Sequence, residues 1–174
     1  MRLFSRDETL PPELREVLAT ATSRGDTAIA QASLTDGSWA VATRRGLALL
    51  SEVATVRPWS DVDRGRWDPE SSTLTVQWVD GSPSTALEVE HPTRTAFLRV
   101  FRERVQSSVV MAETVRLPEG SSARVAVRRS EQDELFIQVV ADPGADLRAP
   151  SAAALVRAAA SRLSAASGAP SEGC

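Results

Sequence analysis

The sequence predicts a mainly β protein with helices, an α+β fold in which a small curved sheet or open barrel is plugged by one helix. Three observations predict it. From about Thr27 to Val89 the apolar residues recur with a period of two, in short runs punctuated by turn signals such as Asp36-Gly37, Arg45-Gly46 and Asp80-Gly81. The run TRTAFLRVFRERVQSSVVM then switches to helical spacing. Beyond it the period of two returns for a hairpin, and a second helical run follows.

Residues 9–21 read as a short helix. Thr9 or Leu10 stands at the cap position, and Pro11 and Pro12 suit a first turn, where a missing N–H costs nothing. Leu14, Val17 and Leu18 share one face, and Ser23-Arg24-Gly25-Asp26 stops the helix. The strands follow. TAIAQAS (27–33) is the first, and Asp36-Gly37 makes a hairpin to SWAVAT (38–43), with Trp39, Val41 and Thr43 on one face. Arg44-Arg45-Gly46 turns the chain into GLALLS (46–51), where Leu47 and Leu49 share a face. VRPWSDVDRGRW (56–67) is a long, interrupted run in which Pro58 marks an edge or a bulge. STLTVQWV (72–79) has Leu74, Val76 and Trp78 on one face, and STALEVE (84–90) closes the set with Leu87 and Val89.

Thr93 fits an N-cap for a helix that the spacing carries to about Ala112. Phe97, Phe101, Val105 and Val109 recur four apart, and Leu98 and Val100 widen the stripe as a core-facing helix requires. ETVRLP (113–118) reads as a short strand. ARVAVRR (123–129) and ELFIQVVA (134–141) read as a hairpin whose second strand is apolar on both faces, which predicts cover on both sides. Pro150 opens a last helix to about residue 166, with Leu155, Val156, Ala159 and Leu163 inward. The organisation predicted is an N-terminal segment and helix (1–22), a barrel with its capping helix (23–112), a hairpin-plus-helix appendage (113–166) and a disordered tail (167–174). No internal repeat is visible.

The chain has 174 residues, 42% apolar and 25% charged, with a net charge of −3. That is enough to bury a core without disulfides. A mildly acidic chain lacks the field that nonspecific nucleic-acid binding needs. The single Cys174 allows no disulfide within the chain and no thiolate-rich metal site, so a reducing cytoplasm is the expected compartment. The opening MRLFSRDETLPPELREV has no apolar core of a secretory signal, and no run approaches the roughly 18 apolar residues of a membrane span. Cys174 is not followed by the three residues of a prenylation box. Every basic residue is Arg, and Lys, Asn and Tyr are absent, as a GC-rich genome would produce.

Two stretches resemble the bacterial pleckstrin-homology-like (PH-like) families of actinobacterial type. One is the strand turn Ala42-Thr43-Arg44-Arg45-Gly46-Leu47, and the other is Trp59-Ser60-Asp61-Val62, followed by an alternating strand, a DG turn and a helix. The resemblance covers about residues 27–112. It implies a PH-like β-barrel with one amphipathic helix capping an open end, and the section after Thr114 lies outside it.

Chemistry-bearing residues are few. Arg44, Arg45, Arg57, Arg64 and Arg66 could form an anion-binding patch, since Arg pairs with phosphate through two donors; Asp61, Asp63 and Asp68 lie among them. The first hairpin tip, LTDGS, offers no cation of the kind phosphoinositide-binding PH domains use there. Asp61-Val62-Asp63-Arg64-Gly65 places an Arg where a calcium loop wants an oxygen ligand. His91, the only His, excludes an HExxH zinc site, and neither a nucleophile elbow nor a phosphate-binding glycine loop is present. Trp39 and Trp78 share parity with core residues. Trp59 and Trp67 lie on the interrupted run, where an exposed aromatic could anchor a partner.

These readings predict a non-enzymatic, cytoplasmic binding or scaffolding module that recognises a protein segment, with no cofactor, no metal and no nucleic acid. The alternative is a peripheral binder of anionic lipid or a phosphorylated ligand through the five arginines. A small enzyme using His91 ranks last. A homodimer is a further possible assembly.

Overall fold

The computed structural model describes residues 8–51 and 53–170; the expected tail beyond residue 170 lies outside the described residues. The fold is α+β, with three antiparallel sheets and three α-helices among the described residues. The chain divides into two compact units between Gln106 and Ser107.

The first unit opens with helix α1, Pro12–Ala21, whose first residue is Pro12 and whose cap is Pro11 rather than Thr9 or Leu10. A meander of β1 (Ala28–Ser33), β2 (Trp39–Thr43), β3 (Gly46–Leu50) and β4 (Thr55–Pro58) forms a four-stranded sheet in sequence order. The interrupted run of the sequence is two strands. A 3-10 turn at Trp59–Asp61 carries the chain out of that sheet and into a second one, β5 (Val62–Asp68), β6 (Thr73–Trp78) and β7 (Thr85–Glu88). The ladders do not close into one barrel. Leu34 bridges Val89, with Thr35 N donating to Glu88 O and Glu90 N to Ser33 O, both at 3.0 Å.

The central strands β2 and β3 of the first sheet are buried on both faces because helices cover both. Ala40, Ala42 and Leu47 join Leu74, Val76 and Leu87 in one cluster with Phe97, Val100 and Phe101 of helix α2 (Phe97–Ser108). Val41, Ala48 and Leu50 join Leu10 and Leu18 beneath α1. Period-two reading marks only one face of such strands as apolar, yet both are. Each large side chain buried on α2 contributes about 1.5–3 kcal/mol. Gly65 makes the approach possible, since a Cβ there would lie 2.3 Å from Phe101 Cε1.

The start and end of α2 both depart from expectation. Thr95, not Thr93, caps it: Phe97 N donates to Thr95 Oγ1 at 3.0 Å, and that hydroxyl donates to Gln31 O. The helix ends at Ser108, and Val109–Arg116 is strand β8 rather than a last helical turn. Val109 keeps the four-residue spacing, but Val109 and Val110 are β-branched and prefer extended backbone. The strand pairs Met111 with Val127 and Ala112 with Ala126.

In the second unit β8 flanks β9 (Ser122–Arg129), whose other neighbour is β10 (Leu135–Ala141). Helix α3, Pro150–Ser167, lies on one face. Ala152, Val156, Ala159, Ala160 and Leu163 meet Val115, Ala123, Val125, Val127 and Ile137. Leu155, expected inward, is 41% exposed. Val156, Ala159 and Leu163 are buried as expected, and with Ala152 and Ala160 they form a stripe that Leu155 borders. β10, expected to be covered on both sides, is an edge strand buried fully only at Ile137. Its apolar content continues the ladder of the central β9, which is the well-buried strand. Gly168, in the left-handed region at φ +76°, closes α3 by donating to Ser164 O at 2.9 Å.

Candidate functional site

The turn between β2 and β3 is built around one hydroxyl. Thr43 Oγ1 lies 2.8 Å from Asp26 Oδ2 and 2.9 Å from Gly46 O as donor, and accepts from Gly46 N at 2.9 Å. Trp59 Nε1 donates to Thr43 O at 3.1 Å. Thr43 is fully buried, so each of these partners replaces water that the turn has lost. A Thr at the end of one strand and a Gly at the start of the next thus has a structural reason.

One concave feature of the first unit lies beside β4; another lies against α1 at Val53 and Ala54. Leu47 pairs across the ladder with Arg57 and Leu49 with Thr55, so these four side chains share a face. Trp78, Ser82, Pro83 and Thr85 form the opposite wall. The cavity measures about 340 Å³. Its apolar floor is Leu47, Leu49 and Trp78. Trp78 Nε1 donates to Thr85 Oγ1 at 3.1 Å, which fixes the ring.

Arg57 lies at the mouth. Its Cζ sits 4.2 Å from the centre of the Trp78 ring. Its Nη2 donates to Asp80 Oδ2 at 2.8 Å, and its Nε and Nη2 reach Asp61 Oδ2 at 3.3 Å. Asp80 is held at a pKa of about 2, first by its hydrogen bonds from the Ser82 side chain and backbone N–H, then by Arg57. A folded pKa below the unfolded one means the carboxylate's contacts stabilise the fold above the ordinary Asp range and are lost as pH falls through about 2. An NMR titration of the side-chain carboxyl should therefore show Asp80 still ionised at pH 3, and a midpoint near its ordinary 3.8 would mean the turn and the Arg57 contact do not form in solution.

The five arginines singled out in the sequence stand on three elements, the β2–β3 turn, β4 and β5. Arg44 is exposed and Arg45 half-buried at the β2–β3 turn. Arg57 lies in the groove between two carboxylates. Arg64 and Arg66 are exposed opposite Gln77 and Thr75, on the face of β5 away from the core, with Arg64 Nε 3.1 Å from Asp63 Oδ2. The 3-10 turn after Arg57 is what separates them, since it moves the chain to another sheet.

Neither tryptophan stands out as a free anchor. Trp59 is 5% exposed and packs edge-to-face on Phe101 at 5.8 Å. Trp67 is half-buried against the same core, opposite Leu74. His91 is exposed at the strand-to-helix corner, with Glu90 at 3.8 Å. Among the described residues no three His, Cys, Asp or Glu side chains group as a metal site would. Nor is any helix long and apolar enough to cross a membrane. Of the groove's lining, sequence reasoning singled out Arg57 alone; it missed Leu47, Leu49, Thr55, Trp78, Ser82, Pro83 and Thr85, and also Asp80, which holds Arg57. Trp78-Val79-Asp80-Gly81 carried a signal, an aromatic ending a strand two residues before an acidic turn, but its partner Arg57 is distant in sequence.

Comparisons with protein-family models, curated proteins and solved structures find no match to this chain.

Proposed function

We propose that the protein is a non-enzymatic binding module whose first unit is a PH-like half-open barrel, and that it receives an extended protein segment along the outer edge of β4. The observation that carries this reading is the apolar groove beside a strand that ends its sheet. Among the described residues β4 is laddered on one side only, to β3. A segment that adds to such an edge gains main-chain hydrogen bonds, and alternate side chains seek pockets. At about 340 Å³ the groove falls at the small end of ligand pockets, with room for one large apolar side chain. An anionic lipid or phosphorylated ligand would find Arg57 already matched by two carboxylates.

The test is a peptide library panned on the purified protein, with binders mapped by amide chemical shifts. Shifts should concentrate on Leu49 and on Thr55–Arg57. Leu49→Glu, which puts a charge on the floor, should weaken those binders by about tenfold, as desolvating a charge for an unpaired site predicts, with the thermal transition retained. Binders that map elsewhere, or that ignore this change, would sink the proposal.

A further inference from the structure

We infer that the segment taken by this groove is basic, an apolar side chain flanked by Arg or Lys. The inference rests on the groove reading above and names the partner's chemistry. Arg57 is the charged side chain of the lining, and two carboxylates that do not line the groove themselves, Asp61 and Asp80, hold it. Asp61 is 36% exposed and Asp80 47%, whereas Arg57 is 22% exposed and sits over the Trp78 ring. The cluster around Arg57 therefore carries an excess of one negative charge beside the groove.

The two carboxylates are not held equally. Asp80 is 2.8 Å from Arg57 and also accepts from Ser82 N at 3.0 Å, so both of its oxygens are engaged. Asp61 is reached by Arg57 only at 3.3 Å, through one oxygen. That is at the long end for a charge-assisted hydrogen bond. Asp61 is thus the acceptor left for an incoming cation. The rest of the groove lining is uncharged: Leu47, Leu49, Thr55, Ser82, Pro83 and Thr85. Arg57 itself shows how such a side chain fits, with its head reaching both carboxylates and its Cζ 4.2 Å from the centre of the indole ring. An acidic flank would meet two like charges, which suppresses the wrong partner.

The probe is an array of extended peptides Val-Thr-X-Z-X-Thr-Val, with Z an apolar or aromatic residue and X either Arg, Gln or Glu. Binding is read by fluorescence anisotropy at low and at moderate salt. The Arg series should bind about threefold tighter than the Gln series for each flanking cation, the scale of an exposed ion pair. The Glu series should be weakest, and salt should narrow the gaps. Asp61→Asn should erase the preference for Arg. Arg57→Gln, which removes the internal competitor, should widen it. A purely structural role for these residues would not give effects of opposite sign. Asp61→Asn alone decides the matter if Arg57→Gln lowers the melting temperature. If peptides bind at β4 with Glu flanks as well as with Arg, or if Asp61→Asn leaves the preference intact, the basic partner is wrong while the groove stands. If no peptide of any series shifts Leu49 or Thr55–Arg57, both readings fall.

Discussion

Trp59→Ala should destabilise the protein by about 3–5 kcal/mol, the range for deleting a large buried aromatic, and lower the melting temperature by on the order of 10 °C. The ring is 5% exposed and its edge meets Phe101 of α2 at 5.8 Å. Its N–H closes the Thr43 turn. Truncation therefore opens a cavity and strips the β2–β3 turn of a partner at the same time. Trp59→Phe separates the two. It keeps most of the packing and loses the hydrogen bond to Thr43 O, so it should cost about 1–2 kcal/mol, as a buried acceptor is left unmade. Urea denaturation of the two variants measures both. A surface anchor would behave otherwise, because exposed substitutions change stability by no more than about 0.5 kcal/mol. A Trp59→Ala protein as stable as the parent would return Trp59 to the surface and undo the packing described for the 3-10 turn.

Trp59 also shows why part of the site could not be read along the chain. Parity predicts the face of a residue only while the backbone stays extended. Pro58 signals the interruption, but the 3-10 turn at Trp59–Asp61 resets the parity, so that Trp59 points inward. The same turn scatters Arg57 from Arg64 and Arg66, which stand close in sequence and on different sheets. The meander itself was legible, because β1, β2, β3, β6 and β7 each carry their own alternation and turn residues, and those strands form within a residue or two of the expected bounds. Val109 was misread for a related reason. A helical stripe and a β-branched run overlap there, and what selects the strand is pairing with β9, which no local pattern contains. The groove was invisible for the same cause: Arg57, Trp78 and Asp80 acquire their meaning only from each other's positions.

Gly46→Val should be nearly as damaging as Trp59→Ala, for a reason that lies in the backbone. A Cβ at Gly46 would sit 2.4 Å from Arg57 O, 3.0 Å from Arg57 C and 3.3 Å from Pro58 Cα. None of these atoms belongs to a side chain that could rotate aside, so β4 itself must move. With four residues and a ladder only to β3 among the described residues, it has little to hold it. The displacement would also pull on Gly46 N and O, which both bond Thr43 Oγ1, and would lift Arg57 off Trp78. Overpacking of this kind costs about 1–3 kcal/mol, and the lost turn bonds add to it. Gly37→Ala is the control. Gly37 has a positive φ of +83° but open space around the missing Cβ, so only the conformational cost of about 1–2 kcal/mol applies. Urea denaturation should rank Gly46→Val below Gly37→Ala, and amide shifts at Thr55–Arg57 should move only in the former. Equal stabilities with unmoved β4 shifts would mean that β3 and β4 do not approach as closely as described. If instead β4 moves, peptide binding at the groove should disappear with it, because the strand that offers its edge and the side chains that form the floor are positioned by that single close contact.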